Sequence, residues 1–421
     1  MGGVIELRCV RCGRRYPPDE VAYTCPSCGD EGTLDVLYDY PALRRELDRE
    51  RLSRNPERTM WRYAPLLPVQ QLRLAAPLTV GWTPLYRVDG LASELGLARL
   101  YIKDEGRNPS ASLKDRASAV ALVRAREASA PVIAAASTGN AASSLACLCA
   151  AVGQRCVLLV PETAPPAKVA QLLIFGAEVR LVRGTYDDAF DLCMAACRAY
   201  GWYNRNTGVN PYLGEGKKTV ALEICEQLEW QAPDLIFVPV GDGCILGGVD
   251  KGLRDLLSLG WIERMPRLIG VQAEGSAALA NAWRRGSTAV EPVIPQTLAD
   301  SISVGRPRDA LKALRAVRES GGAFVTVSDA EILEAMQLLG RSTGVFAEPA
   351  GAAALAGLMC MARRGDLPGD QTAVALITGN GLKDIASALR AVPEPPRIEP
   401  SLEALRQSLA AGGIRLHRGS Q

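Results

Sequence analysis

Lysine is scarce in this chain. Only eight of its 48 basic residues are Lys, so each one is informative. Arg cannot form an imine and stays charged, so chemistry that needs an amine must use Lys. Lys114 stands in EGRNPSASLKDRAS, behind the small residues Ser110, Ala111 and Ser112 and ahead of a helix-forming run. That setting leaves room for a planar molecule. A helix N-terminus also disfavours positive charge and so favours a neutral amine or imine. Taken alone, the same residue reads better as a helix-start lysine paired with Asp115. A second reactive group lies at the N-terminus, where Cys9, Cys12, Cys25 and Cys28 form two C-x-x-C knuckles next to Gly13 and Gly29. Four thiolates at this spacing fit a tetrahedral zinc site. With no ligand position left open, such a zinc is structural, and the bland alternative is a set of reduced thiols.

Three glycine-rich turns could hold anions or polar rings. In AASTGNAASS the chain runs from a strand through Ser137, Thr138, Gly139 and Asn140 into a helix. The free N–H groups of such a turn suit a carboxylate, although Ser, Thr and Asn also cap helices ordinarily. In VPVGDGCILGG, Gly241, Asp242, Gly243, Cys244 and Ile245 open a helix where glycine lets the backbone approach a phosphate. The turn lacks the G-K-S/T ending of a P-loop, and the carboxylate of Asp242 suits an anion site only if it points away. In ALITGNGLKD, Thr378 offers a hydroxyl to a ring nitrogen or simply caps a helix.

The elements that must position these groups alternate. RLYIKDE, PVIAAAS, CVLLVPE, EVRLVR, DLIFVPVG, RLIGVQAE, AFVTVS and TAVALITG read as strands. Helical patterns are predicted over 114–129, 141–152, 167–175, 186–200, 215–229, 276–284, 329–340 and 382–391. This alternation argues an α/β fold with mainly parallel sheets, whose ligands bind at the carboxyl ends of the strands. We divide the chain into a zinc-ribbon-like module (1–38), an extended arm packed on the main body (39–77), a large domain (78–118 and 208–395), a small mobile domain (119–207) and a tail (396–421). The formal charge of +2 argues against nucleic acid or an anionic membrane as partner. Polar residues interrupt every apolar run, so no membrane span is expected. Nor does MGGVIELRCVRC read as an apolar signal core. The remaining eight of the twelve cysteines are scattered through apolar segments, which suits a reducing cytoplasm.

In order along the chain, WRYAPLLPV, WTPL, NPSASLKDR, STGN, NPYLGEGKKT, VPVGDG, EPAGAAA and TGNGLKD resemble the threonine synthases, a family of fold-type-II pyridoxal-phosphate (PLP) enzymes. The likeness runs from the ribbon to about Ala391. It implies a tryptophan synthase β-like fold of two open, twisted, mainly parallel sheet domains and a small-molecule amino-acid substrate. It also implies a homodimer. Lys114 is similar to the lysine that bonds the cofactor and then moves protons. Asn140 is similar to the asparagine at the cofactor's 3′-oxygen, and Ser137, Thr138 and Gly139 to the loop that grips the substrate carboxylate. Gly241, Asp242, Gly243, Cys244 and Ile245 resemble the phosphate cup. Thr378 resembles the hydroxyl residue facing the pyridine nitrogen, which it would leave unprotonated. The implied reaction converts O-phosphohomoserine and water to threonine and phosphate.

Four positions depart from the family pattern. Ala111 and Leu113 replace Gly and Phe, both mild changes on this reading. Asp242 stands where Asn is common. Leu213 replaces an Arg that holds the substrate phosphate in many members, so Arg205, Lys217, Lys218 or Arg116 must serve, with Arg205 and one of the lysines favoured. The changes leave open another lyase of the fold: a cysteate synthase, a Ser/Thr dehydratase or a diaminopropionate ammonia-lyase. A third class, a non-catalytic zinc-binding interaction protein on a dead enzyme fold, is opposed by the intact Lys114.

Overall fold

The computed structural model describes residues 3–164 and 166–411. All eight expected strands form, within a residue or two of their expected ends, and they fall into two sheets. The larger sheet contains β4 (Leu85–Arg87), β5 (Arg99–Asp104), β10 (Leu235–Pro239), β11 (Arg267–Ala273), β12 (Ala323–Val327) and β13 (Thr372–Ile377), in the order β12-β11-β10-β13-β5-β4. Its pairs are parallel except β4–β5 at one edge. The smaller sheet, β8-β7-β6-β9, is wholly parallel and is built from β6 (Ile133–Ala136), β7 (Cys156–Pro161), β8 (Glu178–Val182) and β9 (Tyr203–Asn204). β6, β7, β10 and β13 are apolar and buried along nearly their whole length, as parallel strands covered on both faces must be.

At the N-terminus β1 (Val4–Cys9), β2 (Arg15–Tyr16) and β3 (Leu34–Tyr38) form an antiparallel sheet in the order β2-β1-β3. The arm that follows carries short helices, Tyr40–Glu46 and Arg49–Arg54, and a 3-10 stretch, Met60–Leu66. It is pinned to the body by Arg62, whose Nε donates to Glu226 at 3.0 Å and whose guanidinium lies 4.2 Å from the Trp82 ring.

Several helices differ from expectation. The Pro349–Arg364 helix was not expected, because burial runs unbroken from Pro349 to Met361 and leaves no amphipathic period to read. The Ala310–Glu319 helix was missed too. The stretch expected to be one helix over 382–391 is a 3-10 turn, Gly381–Lys383, then a break at Asp384, whose carboxylate caps a new helix, Ile385–Ala391. Likewise 276–284 begins as a 3-10 turn, Glu274–Ser276, before the Ala278–Arg284 helix. The tail forms a helix at Leu402–Ala411, and its last ten positions lie outside the described residues. No helix among the described residues is long and apolar enough to cross a membrane.

Candidate active site

Lys114 is the first residue of the Lys114–Glu127 helix. The loop before it is stitched to the end of β13, where Leu113 N–H donates to Thr378 C=O at 2.9 Å and Asn380 N–H to Ala111 C=O at 3.0 Å. This pairing brings Lys114 and Thr378, far apart in sequence, to one wall. Ala111 lies in this stitch at φ +63°. A side chain in that left-handed region costs about 1–2 kcal/mol, so replacing the family's glycine here is not the mild change expected.

Lys114, Ser137, Thr138, Gly139, Asn140, Arg205, Gly241, Asp242, Gly243, Cys244, Ile245 and Thr378 all line one cavity of about 840 Å³. It lies at the carboxyl ends of β6, β10 and β13, where strand ends of open α/β sheets hold ligands. Lys217 does not line it, but is buried just behind. The Tyr212–Gln227 helix packs so closely on the Lys114 helix at Gly216 that a Cβ there would sit 3.0 Å from Ala117 Cα. The Gly241–Gly243 turn is equally tight. Gly243 sits at φ +91°, and a Cβ on it would meet Ala313 Cβ at 2.7 Å. The carboxylate of Asp242 is turned to the neighbouring loop, accepting the Arg308 N–H at 3.1 Å.

Three cations at the cavity stand apart from its carboxylates. Among the described residues no carboxylate lies within ion-pair distance of Lys114, Arg205 or Lys217. Burial pulls Lys114 down to about 8, helped by the neighbouring cations Lys217 and Arg205. Burial also lowers Lys217, and brings Arg205 to about 10, where it remains a cation at neutral pH. Arg205 Nε donates to Ser118 Oγ at 3.0 Å, while its buried Nη2 has no partner. Asp115 does not pair with Lys114. Its carboxylate accepts the Ser110 N–H at 2.7 Å and the Ser110 hydroxyl, and burial raises it to about 6.

Two of the cations considered for the missing phosphate contact are already engaged. Arg116 is held by Glu105 at 2.7 Å and Glu223 at 2.5 Å, and Lys218 by Glu215 at 2.5 Å and Asp255 at 2.6 Å. Sequence reasoning gave no role to Glu348, which lines the cavity, is raised by burial and accepts the Asn140 amide at 2.7 Å. Its only signal was its place at the head of EPAGAAA. Tyr186, Arg308 and the Pro292–Pro295 segment at the cavity wall were also missed.

The four knuckle cysteines are together as well, their sulfurs all within 4.8 Å of one another. Cys12 and Cys25 sulfurs stand 3.8 Å apart, close to the roughly 3.8 Å edge of a tetrahedron with Zn–S bonds of about 2.3 Å. Burial alone would raise Cys25, but hydrogen bonding with the Tyr16 hydroxyl and the Ser27 and Cys28 N–H groups brings it down to about 6.

Residues 76–379 match the family described as pyridoxal-phosphate dependent enzyme. A threonine synthase of Methanocaldococcus jannaschii is 41% identical over 96% of this chain and 98% of its own length. Another, of Methanosarcina acetivorans, is 40% identical over the same shares. Among solved structures, a diaminopropionate ammonia lyase from Escherichia coli superposes with a TM-score of 0.64 at 20% identity, covering 74% of this chain and 87% of that one. The processed threonine deaminase isoform 2 of Solanum lycopersicum gives 0.62 at 22%, with the same coverage. At these identities the two structures establish the fold, that of fold-type-II PLP enzymes. With the sequence relatives and the family match together, the chain belongs to the threonine synthases, PLP-dependent lyases of this fold.

Proposed function

We propose that the chain converts O-phosphohomoserine and water to threonine and phosphate, with PLP held at Lys114. The observation that carries this reading is the trio of Lys114, Arg205 and the Lys217 behind them, none of which has a carboxylate within ion-pair distance among the described residues, although Glu348 and Asp242 also line the cavity. Cations held away from water without a paired carboxylate call for an anionic ligand. The cup at Gly241, Asp242, Gly243, Cys244 and Ile245 would hold the cofactor phosphate on free N–H groups at a helix start. Asn140, oriented by Glu348, would face the 3′-oxygen and Thr378 the ring nitrogen. Bound there, PLP would supply an electron sink for negative charge developing beside the amino-bearing carbon.

The rest is done by the chain itself. The N–H groups at Ser137, Thr138 and Gly139 would hold the substrate carboxylate. Lys114 Nζ, depressed to about 8, is suited to take a proton at Cα and then one at Cβ near neutral pH. Arg205 and Lys217 would bind the substrate phosphate in place of the arginine that Leu213 lacks, and steady it as it leaves Cγ. Lys114 would then return a proton to Cγ, water would add at Cβ, and a proton returned to Cα would release threonine. The four-cysteine cluster would hold one structural zinc per chain. We further infer a cytoplasmic homodimer. The scattered free cysteines support a reducing compartment. Exposed Leu382, Ile385 and Leu389 support a covered surface near the site, which sedimentation would test.

The deciding experiment is phosphate release from O-phosphohomoserine beside O-phosphoserine and threonine. The proposal requires turnover of the first with threonine as product. If the chain ignored it and deaminated a shorter amino acid, the reading as another lyase of this fold would replace it.

A further inference from the structure

The sequence sets the cysteine module apart from the catalytic body, but the structure joins them, and three of the contacts reach the anion end of the cavity. Tyr23, two residues before Cys25, accepts the Asn204 N–H on its hydroxyl at 3.0 Å, and its ring packs edge-on against Tyr203 at 6.1 Å. The next residue along the chain is Arg205. Tyr38, at the end of β3, donates its hydroxyl to Glu215 at 2.7 Å, two residues before Lys217 on the same helix. Asp35 is gripped by Arg315 at 2.8 and 3.1 Å, and Lys312 donates to Leu34 C=O at 2.7 Å. Both cations lie on the Ala310–Glu319 helix. The residue ahead of that helix, Asp309, donates its N–H to Asp242 C=O at 3.0 Å. The helix itself backs Gly243 through Ala313.

These contacts belong to three different elements: the end of the smaller sheet, the Tyr212–Gln227 helix and the helix behind the glycine turn. Each ends within two residues of a group at the anion end of the cavity or lies against the turn itself. The module that carries them is stiff at its root. Cys25 N–H donates to Gly32 C=O at 2.9 Å, Val10 N–H to Thr33 C=O at 3.0 Å, and Cys9 pairs with Leu34. A Cβ on Gly32 would lie 2.7 Å from those of both Cys25 and Cys28, so the knuckles and the start of β3 move as one.

We propose that the four-cysteine module is a clamp on the phosphate end of the site. In it, Tyr23 and Tyr38 are positioning residues that set Arg205 and Lys217 for a phosphate group. The clamp rests on the reading that these two cations bind the substrate phosphate. Neither tyrosine touches the cavity, so the effect is on the affinity for phosphate and not on the proton transfers at Lys114.

The test is calorimetric titration of PLP-loaded wild type, Tyr23→Phe and Tyr38→Phe with inorganic phosphate, alongside KM and kcat. Losing one hydrogen bond of this kind corresponds to a weakening of about fivefold. Each variant should bind phosphate about fivefold more weakly and show KM raised in proportion. Its kcat and its visible absorbance should stay as in the wild type. Unchanged phosphate affinity in the variants overturns the clamp, and so does a fall in affinity accompanied by loss of PLP. Should Tyr38→Phe fail to fold, Tyr23→Phe, at a half-buried site, carries the same test. Phosphate binding is read without turnover. A chain that binds phosphate in a Tyr23-dependent way but does not use O-phosphohomoserine would therefore refute the substrate and support the clamp.

Discussion

Two cationic clusters sit at either side of the first turn of one helix, one fully buried around Arg116 and one open to the cavity at Lys114, and they are built differently. Around Arg116 every charge is answered: Glu105 and Glu223 take the guanidinium, Glu223 also takes Lys103 at 2.8 Å, and Thr83 closes the network through its hydroxyl to Glu105 at 2.6 Å. Around Lys114 no carboxylate comes within ion-pair distance among the described residues, and Glu348 acts only from across the cavity. Burial lowers all three, Arg205 and Lys217 lower Lys114 further, Arg205 lowers Lys217, and the buried Nη2 of Arg205 is left open. Burial of charge is common to both and distinguishes nothing. The missing counter-charge marks the ligand site, since an unpaired buried cation is costly until an anion arrives.

Breaking the answered cluster should have the largest effect on the fold. Arg116→Met leaves two buried carboxylates with Lys103 alone and should destabilise the chain by about 3–5 kcal/mol, read from urea unfolding. Loss of less than about 1 kcal/mol would mean that the network is not the scaffold described here. The opposite is expected at the open cluster. Arg205→Met removes a buried cation that has no carboxylate partner, so the ligand-free chain should be no less stable. Its kcat/KM for O-phosphohomoserine should fall roughly 30-fold or more, the equivalent of losing about 2–5 kcal/mol of charge-assisted binding. Normal turnover by this variant would remove Arg205 from the phosphate site.

A pH series sharpens the comparison. Capture of free PLP by the ligand-free chain needs Lys114 neutral. Its rate, followed by absorbance, should rise with pH and level off above about 8, the value to which burial and its two cationic neighbours bring it. A rise continuing past pH 10 would show an ordinary lysine. Because Lys217 is one of the neighbours lowering Lys114, Lys217→Met should move the midpoint upward. The smallest effect is expected at Ala111, at φ +63°. Ala111→Gly relieves the left-handed side chain and should raise stability by about 1 kcal/mol, less what glycine loses in the flexible unfolded chain.

The strands were legible because parallel strands buried on both faces are short apolar runs, and the glycine-rich turns at their ends were legible because few other residues fit there. The pairing of charges was not. Lys217 and Lys218 are adjacent and read alike. One step along a helix turns the side chain by about 100°, so Lys218 meets Glu215, Asp255 and the Tyr38 ring while Lys217 faces the cavity's cations. Which of the two is free depends on residues at positions 38 and 255, which no local pattern connects to them. Glu348 was hidden for a similar reason, since its partner Asn140 comes from the other sheet's helix. The three contacts of the cysteine module were equally out of reach, because each joins residues that are far apart along the chain.

The most direct test of the account is to ask which lysine carries the cofactor. Borohydride reduction of the PLP-loaded chain, followed by digestion and mass spectrometry, compares four lysines: the buried Lys103 and Lys218 with their carboxylates, and Lys114 and the buried Lys217 without. The account predicts a pyridoxyl group on Lys114 alone, with no adduct in Lys114→Ala. A label on Lys103 or Lys218, or an adduct at full yield in the Lys114→Ala variant, would contradict it.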